Sequence, residues 1–449
     1  MRIKFLGAAG TVTGSSYVLT SHSGQSILID QGMFQGTEDV ESLNYEKYDY
    51  DTSQLIGAIL THAHLDHCGR LPLLLKGGYR GEIWMTAPTA SLAEVVLLDS
   101  AKIAKFDKER ALYDKSLAIR TIERFKTTGY HKPISLGDFN ITFYDAGHIL
   151  GSASLEVEDT SGGEYKKIIF SGDLGNTPED LVRATEFFDS ADVVVMESTY
   201  GGRQHPDGDP KKTIQQEINK IEQTNSTLLL PAFSLERTQE ILHLIKHLKE
   251  EEKVEYNTPV YLDSPMAERA TEIYRDYPGY FNDHIQQEMK GKDPFDFPGL
   301  IISKSSHDSQ RLQADRGKKV IIAGSGMMVG GRIVGHAAHY LPMESTRLLI
   351  VGYQGDETLG RELLEGETEV EIDGESIKVK ATVTDTQAMS GHADEDQLLD
   401  WLNHIKGVKK LFLTHGDNDA REAVQNRIKK EMNISQIILP NLNQEIDLV

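Results

Sequence analysis

Thr61-His62-Ala63-His64-Leu65-Asp66-His67 follows a short apolar run at 56–60 and precedes a second apolar stretch at 69–76. The first run is bounded by polar residues and reads as a buried strand; the second reads as a helix. In an extended segment side chains alternate, so His62 and His64 point the same way. Asp66 and His67 then fall where a helix begins. Four ligand-type side chains converge in this way on one point. Imidazole suits zinc, and carboxylate suits hard or borderline cations. Chance occurrence of His-x-His-x-Asp-His in a chain of this composition is on the order of one in a thousand. A polar loop with coincidental histidines is therefore the weaker reading.

The chain around this segment is long enough for two to four domains, at 449 residues. Hydrophobic residues make up 39% and charged residues 26%, as in ordinary soluble proteins. No uninterrupted apolar stretch reaches membrane-spanning length, and no secretory leader is legible, so no membrane partner is expected. Cys68 is the single cysteine, which excludes an intramolecular disulfide and fits a reducing cytoplasm. Lys and Arg number 47 and Asp and Glu 69, a net charge of −22. Such a surface gives no non-specific grip on polyanions, and on charge alone argues against nucleic acid.

Outward from the histidine segment, 1–6, 16–20 and 26–30 read as strands, with further strands at 141–145, 153–157, 167–171 and 193–197. Residues 89–103 are helical in pattern, and 106–126 are charged and helix-permissive. The middle of the chain differs. Four strand–loop–helix units begin at 227, 259, 319 and 347, which predicts a parallel α/β sheet. After Gly366 the pattern returns to β, with a hairpin turning at Asp373-Gly374 and a last strand at 411–414. The simplest organisation is a first domain, residues 1–204 and 366–449, interrupted by an inserted α/β domain at 205–365.

Further candidate ligands sit at strand ends: His148, Asp173, His392 in Ser390-Gly391-His392-Ala393, and His415 after Leu411-Phe412-Leu413-Thr414. Each alone reads as a capping or turn residue. Their recurrence beside small residues at the ends of apolar runs suggests one shared rim. The His-x-His-x-Asp-His segment, Asp30, His148 and Asp173 resemble the motif series of the metallo-β-lactamase superfamily. Glu197 in Glu197-Ser198-Thr199-Tyr200-Gly201, His392 and His415 resemble the three extra motifs of its β-CASP branch. The resemblance spans essentially the whole chain in the right order. It includes bacterial and archaeal β-CASP ribonucleases and the cleavage subunit of the mRNA 3′-end machinery.

This resemblance implies an α/β fold: an αββα metallo-β-lactamase sandwich with an inserted parallel α/β (β-CASP) domain. It implies a two-zinc centre that hydrolyses phosphodiester bonds with a dimetal-activated water. By position, His62, His64 and His148 would hold one zinc, and Asp66, His67 and His415 the other. Asp173 would bridge them, and Asp30 would orient a ligand histidine. The same ligands also suit iron or manganese. A departing ribose oxygen benefits from a proton donor, and His392, tuned by Glu197, is the candidate. Among relatives a histidine at the His415 position accompanies RNA substrates, so single-stranded RNA is the expected partner, in RNA processing or decay. A homodimer is the other partner expectation, and the cytoplasm the expected location.

In the inserted domain, ligands should bind outside the carboxyl ends of the strands. Ser234, Arg237, Ser325 and Gly326 lie there in sequence and are the candidate phosphate contacts, weighed against ordinary loop chemistry. Two zinc ions would bring four positive charges to an acidic body, so a grip on a few phosphates is expected rather than a long basic track. Phe233 and Tyr353 read as core residues before base-stacking ones. His243 and His247, four apart on a helix, are a candidate metal pair with no third ligand in view, so a solvated face is preferred; His336 and His339 read the same way. The alternatives are a DNA-directed or non-selective phosphodiesterase, a non-catalytic nucleic-acid scaffold, and a small-molecule hydrolase or di-iron enzyme. A scaffold is disfavoured because every ligand position is filled. The small-molecule and di-iron readings are disfavoured by the inserted domain and by Glu197, His392 and His415.

Overall fold

Alternation of apolar side chains builds two facing sheets. In the strand Val193–Glu197, Val193 and Val195 join one buried cluster while Val194 and Met196 join another on the opposite face. The computed structural model describes residues 1–106, 111–177, 180–355, 357–386 and 388–448. The expectation for 106–126 falls partly outside these; within them, Lys115–Ile122 is a helix and Phe125–Thr128 a strand.

The chain divides into two compact units, Met1–Gln204 with His392–Val449, and His205–Gly391. The first unit holds two seven-stranded sheets. One runs Glu445–Asp447, Arg2–Gly7, Ser16–Thr20, Ser26–Ile29, Leu55–Ile59, Ile83–Thr86 and Phe125–Thr128. The other runs Gln436–Ile438, Lys410–Thr414, Val193–Glu197, Lys167–Phe170, Ala153–Asp159, Phe139–Asp145 and Ile134–Leu136. Ile3, Phe5, Leu19, Ile27 and Ile59 from the first meet Phe143, Leu155, Ile168, Phe170 and Phe412 from the second. On the outer face of the second sheet, Ile169, Val194, Leu411 and Leu413 pack against Leu398, Trp401, Val424 and Ile428 of the helices Glu395–His404 and Asn418–Glu431. The helix Ala87–Phe106 packs on the first sheet at Ile83–Thr86 and Phe125–Thr128. This is an αββα sandwich.

The second unit is built on a six-stranded sheet in the order Leu300–Ile302, Val260–Leu262, Lys319–Ala323, Thr227–Pro231, Arg347–Ile350 and Thr382–Asp385. Every neighbouring pair is parallel. The second boundary of the expected insert is corrected here. Residues 366–391 belong to the inserted unit, because Thr382–Asp385 adds to its sheet in register with Arg347–Ile350. The hairpin Glu369–Ile372 and Glu375–Lys378 forms as read, with Val370 and Ile372 in that unit's core. Among the described residues no helix is long and apolar enough to cross a membrane.

Candidate metal centre

The parallel strands of both sandwich sheets end on loops that carry the candidate ligands. Leu55–Ile59 leads into Thr61–His67, Lys167–Phe170 into Asp173, and Lys410–Thr414 into His415. Phe139–Asp145 leads into His148. Asp30, directly after Ser26–Ile29, and His415 both take left-handed backbone (φ 55° and 50°), a conformation that non-glycine residues adopt at a cost. Small residues let these loops touch. A Cβ on Gly32 would lie 1.5 Å from the Asp66 carbonyl oxygen, and one on Gly175 would lie 1.7 Å from that of Gly147.

Two donor sets result. His64 Nδ1 lies 3.2 Å from His62 Nε2 and 3.1 Å from His148 Nε2. Asp173 Oδ2 completes this set at 3.4 Å from His62 and 3.7 Å from His148. In the second set His415 Nε2 lies 3.1 Å from His67 Nε2 and 3.3 Å from Asp66 Oδ2. The other Asp173 oxygen, Oδ1, faces this set at 3.2 Å from His67 Nε2 and 3.5 Å from His415 Nε2. Asp173 thus gives one oxygen to each set, and both sets group donor atoms within 4.8 Å.

These residues fit metal ions better than they fit one another. Asp173 Oδ1 is buried and accepts no hydrogen bond, an arrangement that costs about 1–3 kcal/mol or more if left uncompensated. The edges of a zinc coordination tetrahedron are roughly 3.3 Å, from metal–ligand bonds of about 2.05 Å, close to the 3.1–3.7 Å spacings here. Burial, with the neighbouring imidazoles, holds His62 and His64 well below their usual pKa, in the neutral ligating form. Burial would raise Asp66, but His415 and His67 outweigh it and hold it down at about 2. Burial opposes a proton on His67, yet Asp173 and Asp30 overcome it and raise its pKa well above the usual value; a divalent cation would displace that proton.

A surrounding layer aims the ligands. Asp30 Oδ2 lies 2.8 Å from His67 Nδ1, and Asp30 accepts from the Thr61 backbone N–H and hydroxyl, both at 2.8 Å. The Thr199 hydroxyl lies 3.0 Å from His415 Nδ1, and that of Thr61 lies 3.1 Å from His62 Nδ1. Such partners fix ring orientation and tautomer. Thr61 and Thr199 escape sequence reading, since their only signal is adjacency to the His-x-His-x-Asp-His and Glu-Ser-Thr-Tyr-Gly segments. Glu197 lies 3.3 Å from His392 Nδ1 and accepts the Leu174 N–H at 2.7 Å. Burial disfavours a charge on His392, but Glu197, backed by Asp173 and Asp66, outweighs it and lifts its pKa to about 9. Cys68 is fully buried and packs as a small residue.

The second unit brings only part of its expected set together. Ser234 and Ser264 share a hydroxyl contact of 3.3 Å, and a Cβ on Gly324 would sit 3.5–3.6 Å from both hydroxyls. The Ser325 hydroxyl accepts the Val329 N–H at 3.1 Å, and the Gly326 carbonyl accepts from Gln354 at 2.9 Å. Arg237 is corrected: its guanidinium is buried and pairs with Glu240, so it does not present its charge at the strand ends. The exposed-face reading of His336 is also corrected. It is fully buried, with Nε2 2.6 Å from Asp263 Oδ2, and Asp263 also accepts from Arg332 at 2.6 Å.

Comparison with known proteins places the chain in a family. Residues 9–215 match the model of the Metallo-beta-lactamase superfamily, 238–363 the Beta-Casp domain, and 376–440 the Zn-dependent metallo-hydrolase RNA specificity domain. Ribonuclease TTHA0252 of Thermus thermophilus is 36% identical over 424 residues, covering 93% of this chain and 94% of its own. RNase aCSPSF2 of Saccharolobus solfataricus is 30% identical over 449 residues, covering 99% and 85%. A crystal structure of a protein of unknown function from Enterococcus faecalis V583 shares the fold, with TM-score 0.55 at 13% identity over 99% of both chains. With matched models along both units and such identity over nearly full length, the chain belongs to the β-CASP branch of the metallo-β-lactamase superfamily of metal-dependent hydrolases.

Proposed function

We propose that the chain is a zinc-dependent ribonuclease that hydrolyses phosphodiester bonds of single-stranded RNA at a two-metal centre. The observation that carries this reading is the division of Asp173 between two donor sets. His62, His64 and His148 would hold one ion, Asp66, His67 and His415 the other, and Asp173 both. Bound zinc there supplies Lewis-acid activation of water and neutralises charge on the attacked phosphate. Asp30 and Thr199 hold His67 and His415 in ligating orientation. Glu197 keeps a proton on His392; we assign its transfer from Nε2 to the ribose oxygen as the bond from that oxygen to phosphorus breaks, while the attacking water gives up a proton to solvent and its oxygen bonds to phosphorus. Ser234, Ser325 and Gly326 offer the small-residue surface for substrate phosphates. The RNA preference is supported by the match to an RNA specificity domain, which includes His392 and His415, and by relatives named as ribonucleases.

The test is one 5′-labelled single strand, made as RNA and as DNA, incubated with and without chelator. Chelator-sensitive cutting of RNA alone is expected. Equal cutting of DNA would overturn the RNA assignment, and cutting in chelator would overturn the metal dependence.

A further inference from the structure

A second cluster of metal-ligating side chains lies wholly inside the inserted unit. The helix Arg237–Glu250 places His243 and His247 one turn apart, on one face. His243 is buried at 2% exposure, so this face is packed, not solvated. The ligand missing from the sequence reading comes from the helix Asp283–Met289, which delivers Glu288. His243 Nε2 and His247 Nε2 are 2.9 Å apart. Glu288 Oε2 lies 3.2 Å from the first and 3.4 Å from the second.

Hydrogen bonding alone accounts poorly for this triangle. A proton on His243 Nε2 can be shared with His247 and Glu288, but the third edge then sets the His247 lone pair against a carboxylate. A cation at the centre satisfies all three atoms, and the spacings approach the roughly 3.3 Å edge of a zinc tetrahedron. We propose that His243, His247 and Glu288 bind one divalent transition-metal ion, zinc by donor type, which ties the Asp283–Met289 helix to the Arg237–Glu250 helix. Lys246 pairs with the other Glu288 carboxylate oxygen, Oε1, leaving Oε2 to the imidazoles. The His247 side chain is 25% exposed, which gives an ion a path in.

The experiment compares zinc content by elemental analysis of the full-length wild type and His247→Ala, purified from zinc-supplemented medium and desalted. The variant is expected to hold one equivalent fewer per chain, to melt lower, and to cleave RNA as the wild type does. His247→Gln, closer in bulk and polarity, guards against a folding defect and must lose the same equivalent. Equal zinc in wild type and both variants would overturn the site. Because the readout is a difference, it does not depend on how many ions the nuclease centre holds.

Discussion

Asp173 and His392 divide the chemistry at the scale of single residues. Asp173 is acidic, buried and split between two donor sets, and under the proposed function it would hold ions. His392 stands beside Glu197, with its side chain 19% exposed, and under the proposed function it would hold a proton. Replacing His392 by Ala is expected to slow RNA cleavage about 10²–10⁴-fold while the metal content stays at the wild-type level. The pH profile separates this from a structural role. A donor must be protonated, so cleavage is lost as pH rises through the pKa of His392, which its carboxylate neighbours place at about 9. Cations bound nearby move that limb downward. The limb should vanish in His392→Ala; a variant with the same alkaline limb at a lower rate would remove His392 from the donor role. The same raised pKa contributes stability that is complete below the ordinary 6.5 and lost as pH passes about 9. At this scale the histidines and aspartates that the structure groups into two donor sets were legible because type, spacing and strand-end position coincide. Arg237 was misread: its partner Glu240 stands three residues on along the same helix, and only the burial of the pair is a tertiary fact that no local pattern encodes.

Elements matter here through where they stop. The strands Leu55–Ile59, Lys167–Phe170 and Lys410–Thr414 end at the same kind of edge, and their apolar runs bounded by Gly, Ser and Thr made them readable. The packing of the loops beyond them was not readable, because it depends on the lack of a side chain. Gly32 lies against the Asp66 backbone. Gly32→Ala is expected to push that loop outward, destabilising the protein by about 1–3 kcal/mol and lowering bound zinc, although residue 32 offers no ligand. Gly279→Ala, where an added Cβ meets nothing within 4 Å, should change stability by less than about 0.5 kcal/mol. Melting curves with metal analysis check both; wild-type zinc in Gly32→Ala would refute the packing argument. The strands Leu300–Ile302 and Thr382–Asp385 went unread for a different reason. They are short and only half-buried, and Thr382–Asp385 lies beyond a hairpin whose β pattern resembles the first domain. Their pairing supplies what their composition lacks.

The whole molecule carries a charge of −22 yet belongs to a branch whose relatives include ribonucleases. The two facts are compatible if the positive charge that meets phosphate is mostly borne by bound ions. An acidic body then suppresses loose binding, and productive binding depends on the centre. This makes the ions, rather than a basic surface, the core of the account. The most direct test is to strip the protein of metal and titrate zinc back into wild type and Asp173→Asn, following bound metal and RNA cleavage together. The account predicts no cleavage by the stripped protein. It predicts recovery in the wild type as it takes up more zinc than the variant retains, and no recovery in Asp173→Asn. Cleavage by the metal-free protein, or full recovery in Asp173→Asn, would contradict it.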